Sequence, residues 1–245
     1  MITIGVDIGS TYTKYCIKGG ADMKLFMERT PVKQKEYFEY KLKELLAEFP
    51  DAKIVSCGYG QHNIGSDAQI SELAALAEGA AYQAPDYNVL LDIGGQDTKI
   101  IVRDGSKLKE FFVNDKCAAG CGIFAINTLN QLGFTYEDID LRGGEEPAFK
   151  LSSTCAVFAQ TEIVSLLAQG TEPSDIMTAV IWQILEQSKV LLRKVRYETI
   201  ALSGGLTLIK DIDKCASKTY GTNVVIPANS AYLSAIGAAL YAERL

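Results

Sequence analysis

One eight-residue pattern occurs twice in this chain of 245 residues. Residues 7–14 read DIGSTYTK and residues 92–99 read DIGGQDTK, so that five of the eight positions are identical. Each copy follows an apolar strand pattern and is expected to open a β-hairpin. The offset of 85 residues, from position 7 to position 92, predicts two related half-molecules. We predict a first domain over residues 1–84 and a second over residues 85–245, whose last helix is expected to pack back on the first.

Strand and helix patterns alternate along the chain, which is typical of α/β layering. Strands are predicted at 2–7, 12–18, 52–57, 87–93, 98–103, 107–113, 197–202 and 222–226. Helices are predicted at 33–49, 70–82, 121–132, 156–169, 173–195, 206–217 and 231–243. A turn is predicted at Asp104–Gly105.

The composition excludes several classes of function. Lys and Arg number 24 against 30 Asp and Glu, which gives a net charge of −6, and an acidic chain is a poor non-specific binder of nucleic acid. No stretch approaches the ~20 apolar residues of a membrane span. The apolar alternation that starts at Ile2 leaves no basic region for a secretory signal. The sequence therefore predicts a cytoplasmic protein with no nucleic-acid or membrane partner.

The repeated pattern has the chemistry of a phosphate-binding turn. Glycines let backbone N–H groups approach phosphate oxygens, while hydroxyl and amide side chains add hydrogen bonds and lysine adds charge. The residues expected to bind a nucleotide in this way are Gly9, Ser10, Thr11 and Lys14 in the first copy and Gly94, Gly95, Gln96 and Lys99 in the second. Asp7 and Asp92 are expected to hold a hydrated Mg²⁺, which prefers one or two carboxylates plus waters and phosphates. Two facing turns would grip one polyphosphate in a cleft between the domains.

A third glycine motif, Ser203-Gly204-Gly205, follows the predicted strand at 197–202 and precedes a predicted helix. Such a turn lets a nucleotide lie against the backbone at a helix N-terminus. Gly204 and Gly205 are therefore expected to contact the nucleotide. The chain contains no GxxxxGK[ST] run, which excludes a Walker-type ATPase.

These motifs resemble those of the actin/Hsp70/sugar-kinase superfamily. DIGST and DIGGQD correspond to its two phosphate motifs, SGG to its adenosine motif, and SAIGAAL to its small-residue helix near the end. The resemblance implies an α/β fold with two ribonuclease-H-like domains, as in actin-like ATPases, around a cleft that holds Mg-ATP.

Two cysteines stand where helices are predicted to begin. Cys117 lies in NDKCAAGCG and Cys155 in SSTCAVFA, each after residues that cap helices and before an apolar helix pattern. Free N–H groups at such a position lower the pKa of a thiol and stabilise an anionic iron–sulfur cluster. A [4Fe–4S] cluster usually takes four thiolates. A two-fold homodimer would supply them as two cysteines from each chain.

A cluster held within one subunit is the alternative, with Cys121 and either Cys57 or Cys215 as further ligands. The dimer is the preferred interpretation, because Cys57 ends a strand of the first domain and Cys215 has the character of a small residue on a helix. Cys16, Cys57 and Cys215 are instead expected to be packing residues.

The chain also resembles, over nearly its whole length, the BadF/BadG/BcrA/BcrD-type ATPases, which include activators of 2-hydroxyacyl-CoA dehydratases and subunits of benzoyl-CoA reductase. The motifs that carry the resemblance are GYG at 58–60, QISEL at 69–73, DIGGQD, NDKCAAGCG, STCAVFAQTEIVSLLA and SAIGAALYA. It implies that Cys117 and Cys155 bind a [4Fe–4S] cluster shared by two subunits. Family members usually carry Thr or Ser where this chain has Cys121, whose role stays open between a spare thiol and an additional ligand.

The resemblance implies an ATP-dependent one-electron donor that binds ATP or ADP with Mg²⁺. Ferredoxin or flavodoxin would reduce the cluster, and hydrolysis would drive the electron to an iron–sulfur dehydratase or reductase. Asp7, Asp92 and Gln96 are the expected catalytic residues, with Gln96 positioning the attacking water. The alternatives are a small-molecule kinase of the same fold, an actin-type assembly protein, and a reductase of a double-cubane cluster protein. The kinase and the assembly protein leave the cysteines without a role.

Overall fold

The structure is a computed structural model, and it describes residues 1–83, 87–104, 107–114 and 117–245. The chain divides into two compact units. The first comprises Met1–Pro85 and Ala228–Leu245, and the second comprises Asp86–Pro227. The predicted boundary between residues 84 and 85 lies outside the residues that the structure describes. Within the described ranges, no helix is long and apolar enough to cross a membrane.

The first unit contains a five-stranded sheet with helices on both faces. Its elements are β1 (Ile2–Ile8), β2 (Tyr12–Gly19), β3 (Asp22–Arg29), α1 (Gln34–Glu48), β4 (Lys53–Cys57), β5 (Ala68–Gln69), α2 (Glu72–Gln83) and α7 (Leu233–Ala242). The strand order is β3-β2-β1-β4-β5. β1 pairs antiparallel with β2 and parallel with β4. Because β1 is central, all but its first residue is buried.

The two faces of this sheet have different partners. Ile4, Val6 and Ile8 of β1 form a core with Phe38 and Leu45 of α1. The opposite face lies against α7, whose Ala235 and Ala239 backbones approach Gly5 so closely that it has no room for a Cβ atom. The sequence patterns do not predict β3. Its side chains are at most partly buried at the edge of the sheet, so they lack a clear apolar alternation.

Helices α2 and α7 touch through their backbones at two glycines. A Cβ on Gly79 would lie 1.9 Å from the carbonyl oxygen of Leu233, and one on Gly237 would lie 1.8 Å from that of Ala75. We expect Gly237→Ala to force the helices apart and to lower the free energy of unfolding by about 3 kcal/mol. Chemical denaturation checks this value. The control is Ala74→Val on the exposed side of α2, which should change stability by less than about 0.5 kcal/mol. An equal effect of the two substitutions would contradict the packing argument.

The second unit also contains a five-stranded sheet with helices. Its elements are β6 (Val89–Ile93), β7 (Thr98–Asp104), β8 (Lys107–Val113), α3 (Gly122–Leu132), α4 (Ala156–Ala168), α5 (Pro173–Leu192), β9 (Thr199–Gly204), α6 (Ile212–Tyr220) and β10 (Asn223–Val225). The strand order is β10-β9-β6-β7-β8. The long helix α5 is largely buried, because it supplies much of the core of this unit.

The repeat detected in the sequence extends to the topology of both sheets. In each unit a central strand pairs antiparallel with the next strand and parallel with a later one. The registers match as well, since Asp7 lies opposite Lys14 and Asp92 lies opposite Lys99. The predicted hairpins and the predicted α/β class are therefore confirmed.

The predicted helix at 206–217 is wrong. A short 3₁₀ helix, Gly205–Leu208, follows β9, and α6 begins only at Ile212. Asp211 separates the two with a left-handed backbone, φ 62°. A right-handed helix does not continue through such a residue, so the apolar spacing of this segment spans two elements. Gly105, in the predicted turn at 104–105, lies outside the described residues.

Candidate functional site

The first phosphate turn closes the hairpin between β1 and β2. The Gly9 N–H donates to the Tyr12 carbonyl at 3.2 Å. Asp7 is 3% exposed at the end of β1, and the Lys14 ammonium lies 3.2 Å from its Oδ2. Ser10 is exposed and Thr11 is partly exposed at the tip of the turn. The tip therefore presents backbone and hydroxyl groups to solvent, beside an ion pair whose carboxylate is buried and whose lysine is partly exposed.

The second turn repeats this geometry 85 residues later. The Gly94 N–H donates to the Asp97 carbonyl at 2.9 Å, as Gly9 does to Tyr12. The turn leaves Gln96 exposed, and Gly95 is partly exposed.

This second turn also contains a carboxylate that the first lacks. Asp97 stands where the first copy has Tyr12. The buried Lys99 ammonium lies 2.6 Å from Asp97 and 3.9 Å from Asp92. Two carboxylates therefore share one lysine in the second turn, whereas Asp7 pairs with Lys14 in the first. Asp97 was not among the residues predicted from the sequence. The difference between the two copies of the repeat at this position is the feature that could have revealed it.

The Ser203-Gly204-Gly205 motif lies beside Asp92 because β9 runs parallel to β6. The Ser203 hydroxyl donates to Asp92 Oδ1 at 2.7 Å. Gly204 has φ 99°, and a Cβ there would lie 2.1 Å from the Ile93 carbonyl oxygen. A 3₁₀ helix of four residues follows, so the motif does not open an α-helix as the sequence predicts.

Gly58 occupies the matching position in the first unit. β4 runs parallel to β1, as β9 does to β6, with Cys57 opposite Asp7 and Ser203 opposite Asp92. Gly58 has φ 87°, and a Cβ there would lie 2.7 Å from the Ile8 carbonyl oxygen and 2.6 Å from Asp7 Oδ1. The equivalence of Gly58 and Gly204 is visible only in the structure, because one shared glycine gives no detectable signal in the sequence.

A divalent cation fits the surroundings of Asp7. Its Oδ1 atom is buried and accepts no hydrogen bond from the described part of the chain. A buried carboxylate oxygen without a donor is unfavourable, and a hydrated Mg²⁺ supplies the missing partners. Asp7 is thus a suitable ligand, directly or through a water.

Cys155 stands at the start of α4, as the sequence predicts. It is the N-cap residue and makes no side-chain capping hydrogen bond. Its thiol is exposed, and the N–H groups of the first helical turn have no intrahelical acceptor. The carboxylate of Glu162 holds the preceding loop, accepting from the backbone N–H groups of Ser152 and Ser153 at 2.8 and 3.2 Å. Burial opposes ionisation of Glu162, but these hydrogen bonds keep its pKa below the ordinary value.

Cys117 is exposed but does not begin an α-helix, which corrects the prediction. It precedes a 3₁₀ helix, Ala118–Gly120, and the N-cap of α3 is Cys121. Cys121 is fully buried, and burial raises the pKa of its thiol. Its Sγ donates to the Cys117 carbonyl at 3.2 Å and accepts from the Asn114 amide at 3.3 Å.

Two residues of α5 that lie one helical turn apart contact the two loops that carry Cys155 and Cys117. The Gln183 amide donates to the Ser153 carbonyl at 3.0 Å, two residues before Cys155. Gln187 packs against Gly120, three residues after Cys117, where a glycine Cβ would meet its Cβ at 3.3 Å. Residues four apart on a helix lie on the same face, so α5 brings the two loops to one side of the second unit. A cavity of about 190 Å³ beside Cys117 is lined by Gln187 among others.

The remaining cysteines have the character of packing residues. Cys16, Cys57 and Cys215 are fully buried. Burial raises the pKa of Cys16 to about 12 and that of Cys215 to about 11. Across residues 1–83, 87–104, 107–114 and 117–245, no three His, Cys, Asp or Glu side chains lie close enough together to hold a metal ion.

Comparison with known proteins finds one family whose model matches this chain and several proteins of similar sequence. The model of the BadF/BadG/BcrA/BcrD ATPase family matches residues 4–242. The 2-hydroxyisocaproyl-CoA dehydratase activator of Clostridioides difficile is 31% identical, over 99% of this chain and 95% of the relative. The (R)-2-hydroxyglutaryl-CoA dehydratase activating ATPase of Acidaminococcus fermentans is 30% identical, over 99% and 97%.

A solved structure matches the fold over almost the whole chain. It is the activator of the 2-hydroxyisocaproyl-CoA dehydratase from Clostridium difficile with bound ADPNP. The TM-score is 0.88 at 30% identity, covering 99% of this chain and 94% of that one. The expected actin-like ATPase fold with two ribonuclease-H-like units is confirmed.

Proposed function

The chain belongs to the BadF/BadG/BcrA/BcrD ATPase family, and from this membership we propose that it is an ATP-dependent one-electron donor. In this proposal, two identical chains share one [4Fe–4S] cluster through Cys117 and Cys155 of each. ATP hydrolysis is coupled to transfer of the electron to an iron–sulfur enzyme, a 2-hydroxyacyl-CoA dehydratase or a related reductase. Both relatives described above are named as activators of such dehydratases.

The exposure of the cysteines is the observation that carries the proposal. Of the six thiols, only those of Cys117 and Cys155 are exposed, and both belong to the second unit. α5 supports their loops on one face. Two thiolates provide half of the four that a [4Fe–4S] cluster usually takes. The donor set therefore fits a cluster whose other half comes from a second copy.

The surface around Cys155 favours a second copy. Val157 is 73% exposed and Phe158 is 69% exposed, both in the first turn of α4. Large apolar side chains that lie together on a surface mark a site of contact with another protein, which removes them from water. A two-fold axis near these residues would bury them against each other and bring the four thiols together.

Both phosphate turns take part in ATP binding in this proposal. Gly9 and Gly94 close the two turns through their own backbone hydrogen bonds. In the first turn the backbone N–H groups and hydroxyls of Ser10 and Thr11 bind phosphate oxygens, and in the second the Gly95 N–H does. Lys14 adds charge, and Gly204 and Gly205 lie along the nucleotide. Asp7 and Asp92 hold a hydrated Mg²⁺.

Gln96 orients the attacking water in the proposed reaction. Its side chain is exposed at the tip of the second turn, where a phosphate would bind. An amide can donate to and accept from one water molecule, which is the positioning role that glutamine has in other nucleotide hydrolases. When bound, the cluster supplies a one-electron carrier, and ferredoxin or flavodoxin is the proposed donor.

Reconstitution tests this function. We expect protein purified without oxygen to hold about four iron and four sulfide per two chains. Reduced protein should pass electrons to a 2-hydroxyacyl-CoA dehydratase with ATP and not with a non-hydrolysable analogue. Equal electron transfer with either nucleotide would overturn the coupling. Acceptor-dependent formation of ADP by iron-free protein would instead favour the kinase.

A further inference from the structure

The start of α3 is capped by the second phosphate turn. The Gly122 N–H donates to the Gly94 carbonyl and the Ile123 N–H to the Gly95 carbonyl, both at 2.8 Å. The N-cap residue Cys121 makes no side-chain capping bond, so the turn supplies acceptors that a cap side chain would normally provide. A shift of the turn therefore moves the first residues of α3.

Thr98 forms a second connection from the same turn. It follows Asp97, and its buried hydroxyl donates to the Gly120 carbonyl at 2.6 Å. The same oxygen lies 3.9 Å from Cys121 Sγ. The Thr98 backbone N–H donates to the Asn114 side chain at 3.0 Å. One residue of the hairpin thus touches the segment on both sides of Cys117.

Cys121 completes the connection to Cys117. Its thiol donates to the Cys117 carbonyl at 3.2 Å, while the Asn114 amide donates to its sulfur. Thr98 and Cys121 are both at most 1% exposed, and hydrogen bonds are electrostatically stronger where the surroundings exclude water. The path from the Gly94–Gly95 turn to the backbone of Cys117 is continuous, and it is buried at Thr98 and Cys121.

From these contacts we infer that Thr98 and Cys121 are positioning residues, which transmit the nucleotide state of the second turn to Cys117. Cys121 is thus a structural hydrogen-bonding thiol and not a cluster ligand. The inference rests on the proposed function for the nucleotide turn and for Cys117. Binding energy at the turn changes the placement of Cys117 only if nucleotide states favour different arrangements of this path.

Cys155 offers an internal reference in the same unit. Its loop is held by Glu162 and Gln183, whereas the hydrogen bonds traced above lead from the 94–98 turn to Cys117. Nucleotide binding is therefore expected to act on Cys117 more strongly than on Cys155.

The test is the alkylation rate of each thiol in the full chain after removal of iron, resolved by mass spectrometry. We expect ADP and a non-hydrolysable ATP analogue to give Cys117 rates that differ by about five-fold or more, with a smaller difference at Cys155. Thr98→Val and Cys121→Ala should abolish the difference at Cys117. Thr98→Ser and Cys121→Ser, which keep the hydrogen bonds, should restore it.

The control is Thr128→Val, which removes another buried hydroxyl of α3, bonded to the Phe124 carbonyl at 3.0 Å. It should leave the nucleotide response unchanged. An unchanged response in Thr98→Val, or no response in the unmodified chain, would overturn the inference while leaving the iron count of the proposed function unaffected.

A second measurement uses the chain without substitutions. Because equilibrium coupling between two sites is reciprocal, alkylation of Cys117 should alter the ratio of the ADP and analogue dissociation constants. An unaltered ratio would also overturn the inference.

Discussion

Cys117→Ser and Cys155→Ser are each expected to lose at least nine-tenths of the bound iron. A serine hydroxyl stays protonated near neutral pH and is a poor ligand for iron that thiolates normally bind. Because both residues are exposed and neither packs in a core, the fold should be retained. Iron and sulfide analysis of anaerobically purified protein measures the loss. Nucleotide binding should stay within about two-fold of the unmodified chain, because a surface substitution usually changes energies by about 0.5 kcal/mol or less.

Two matched substitutions control for the loss of a thiol as such. Cys121→Ser lies four residues from Cys117, and its hydroxyl can make the same hydrogen bonds to the Cys117 carbonyl and from Asn114. Cys215→Ser lies in the buried core of the second unit. Both are expected to keep the iron. Loss of iron from folded Cys121→Ser protein would show that Cys121 is a ligand, which contradicts the assignment of two ligands per chain.

The repeat allowed much of the fold to be predicted because it contains both local and long-range information. An Asp at a strand end, a glycine turn and a Lys opposite the Asp define a hairpin within eight residues. Finding that hairpin twice implies two copies of what surrounds it. The structure shows the same strand order and register in both units.

The parts that sequence reasoning missed depend on contacts between distant segments. Gly58 and Gly204 are equivalent because each packs on the residue after an Asp, Ile8 or Ile93, in a parallel neighbouring strand. No local pattern marks that contact. The helix predicted at 206–217 failed for a related reason, since apolar spacing does not reveal the left-handed Asp211 that separates two elements.

The cysteine site was predictable only in part. Both cysteines proved to be exposed in one unit, but the placement of Cys117 before a 3₁₀ helix was not evident from its neighbours. The role of Cys121 was open in the sequence, because burial and hydrogen-bond partners distinguish a ligand from a packing thiol. The partner Thr98 lies 23 residues away in the chain.

Gly204→Ala is expected to have the largest effect on the second unit. The new Cβ would lie 2.1 Å from the Ile93 carbonyl oxygen, and φ 99° with ψ 179° is a backbone region that essentially only glycine adopts. The strand pair β6–β9 must separate locally or the turn must flip. Together these effects should lower the free energy of unfolding by about 4 kcal/mol. Nucleotide binding should be lost as well, because the neighbouring Ser203 donates to Asp92.

Gly205→Ala is the matched control for Gly204→Ala, because it makes the same chemical change one residue later. It distinguishes an effect on stability from an effect on nucleotide binding. Its Cβ would meet nothing nearer than the Tyr136 hydroxyl at 4.0 Å, and no left-handed backbone is required. We expect its stability to change by less than about 0.5 kcal/mol. If the turn lies along the nucleotide as proposed, the added methyl should still weaken ADP binding by about ten-fold, as measured by calorimetry. Unaltered ADP affinity in Gly205→Ala would remove this turn from the proposed nucleotide site, whereas destabilisation by Gly204→Ala would stand independently.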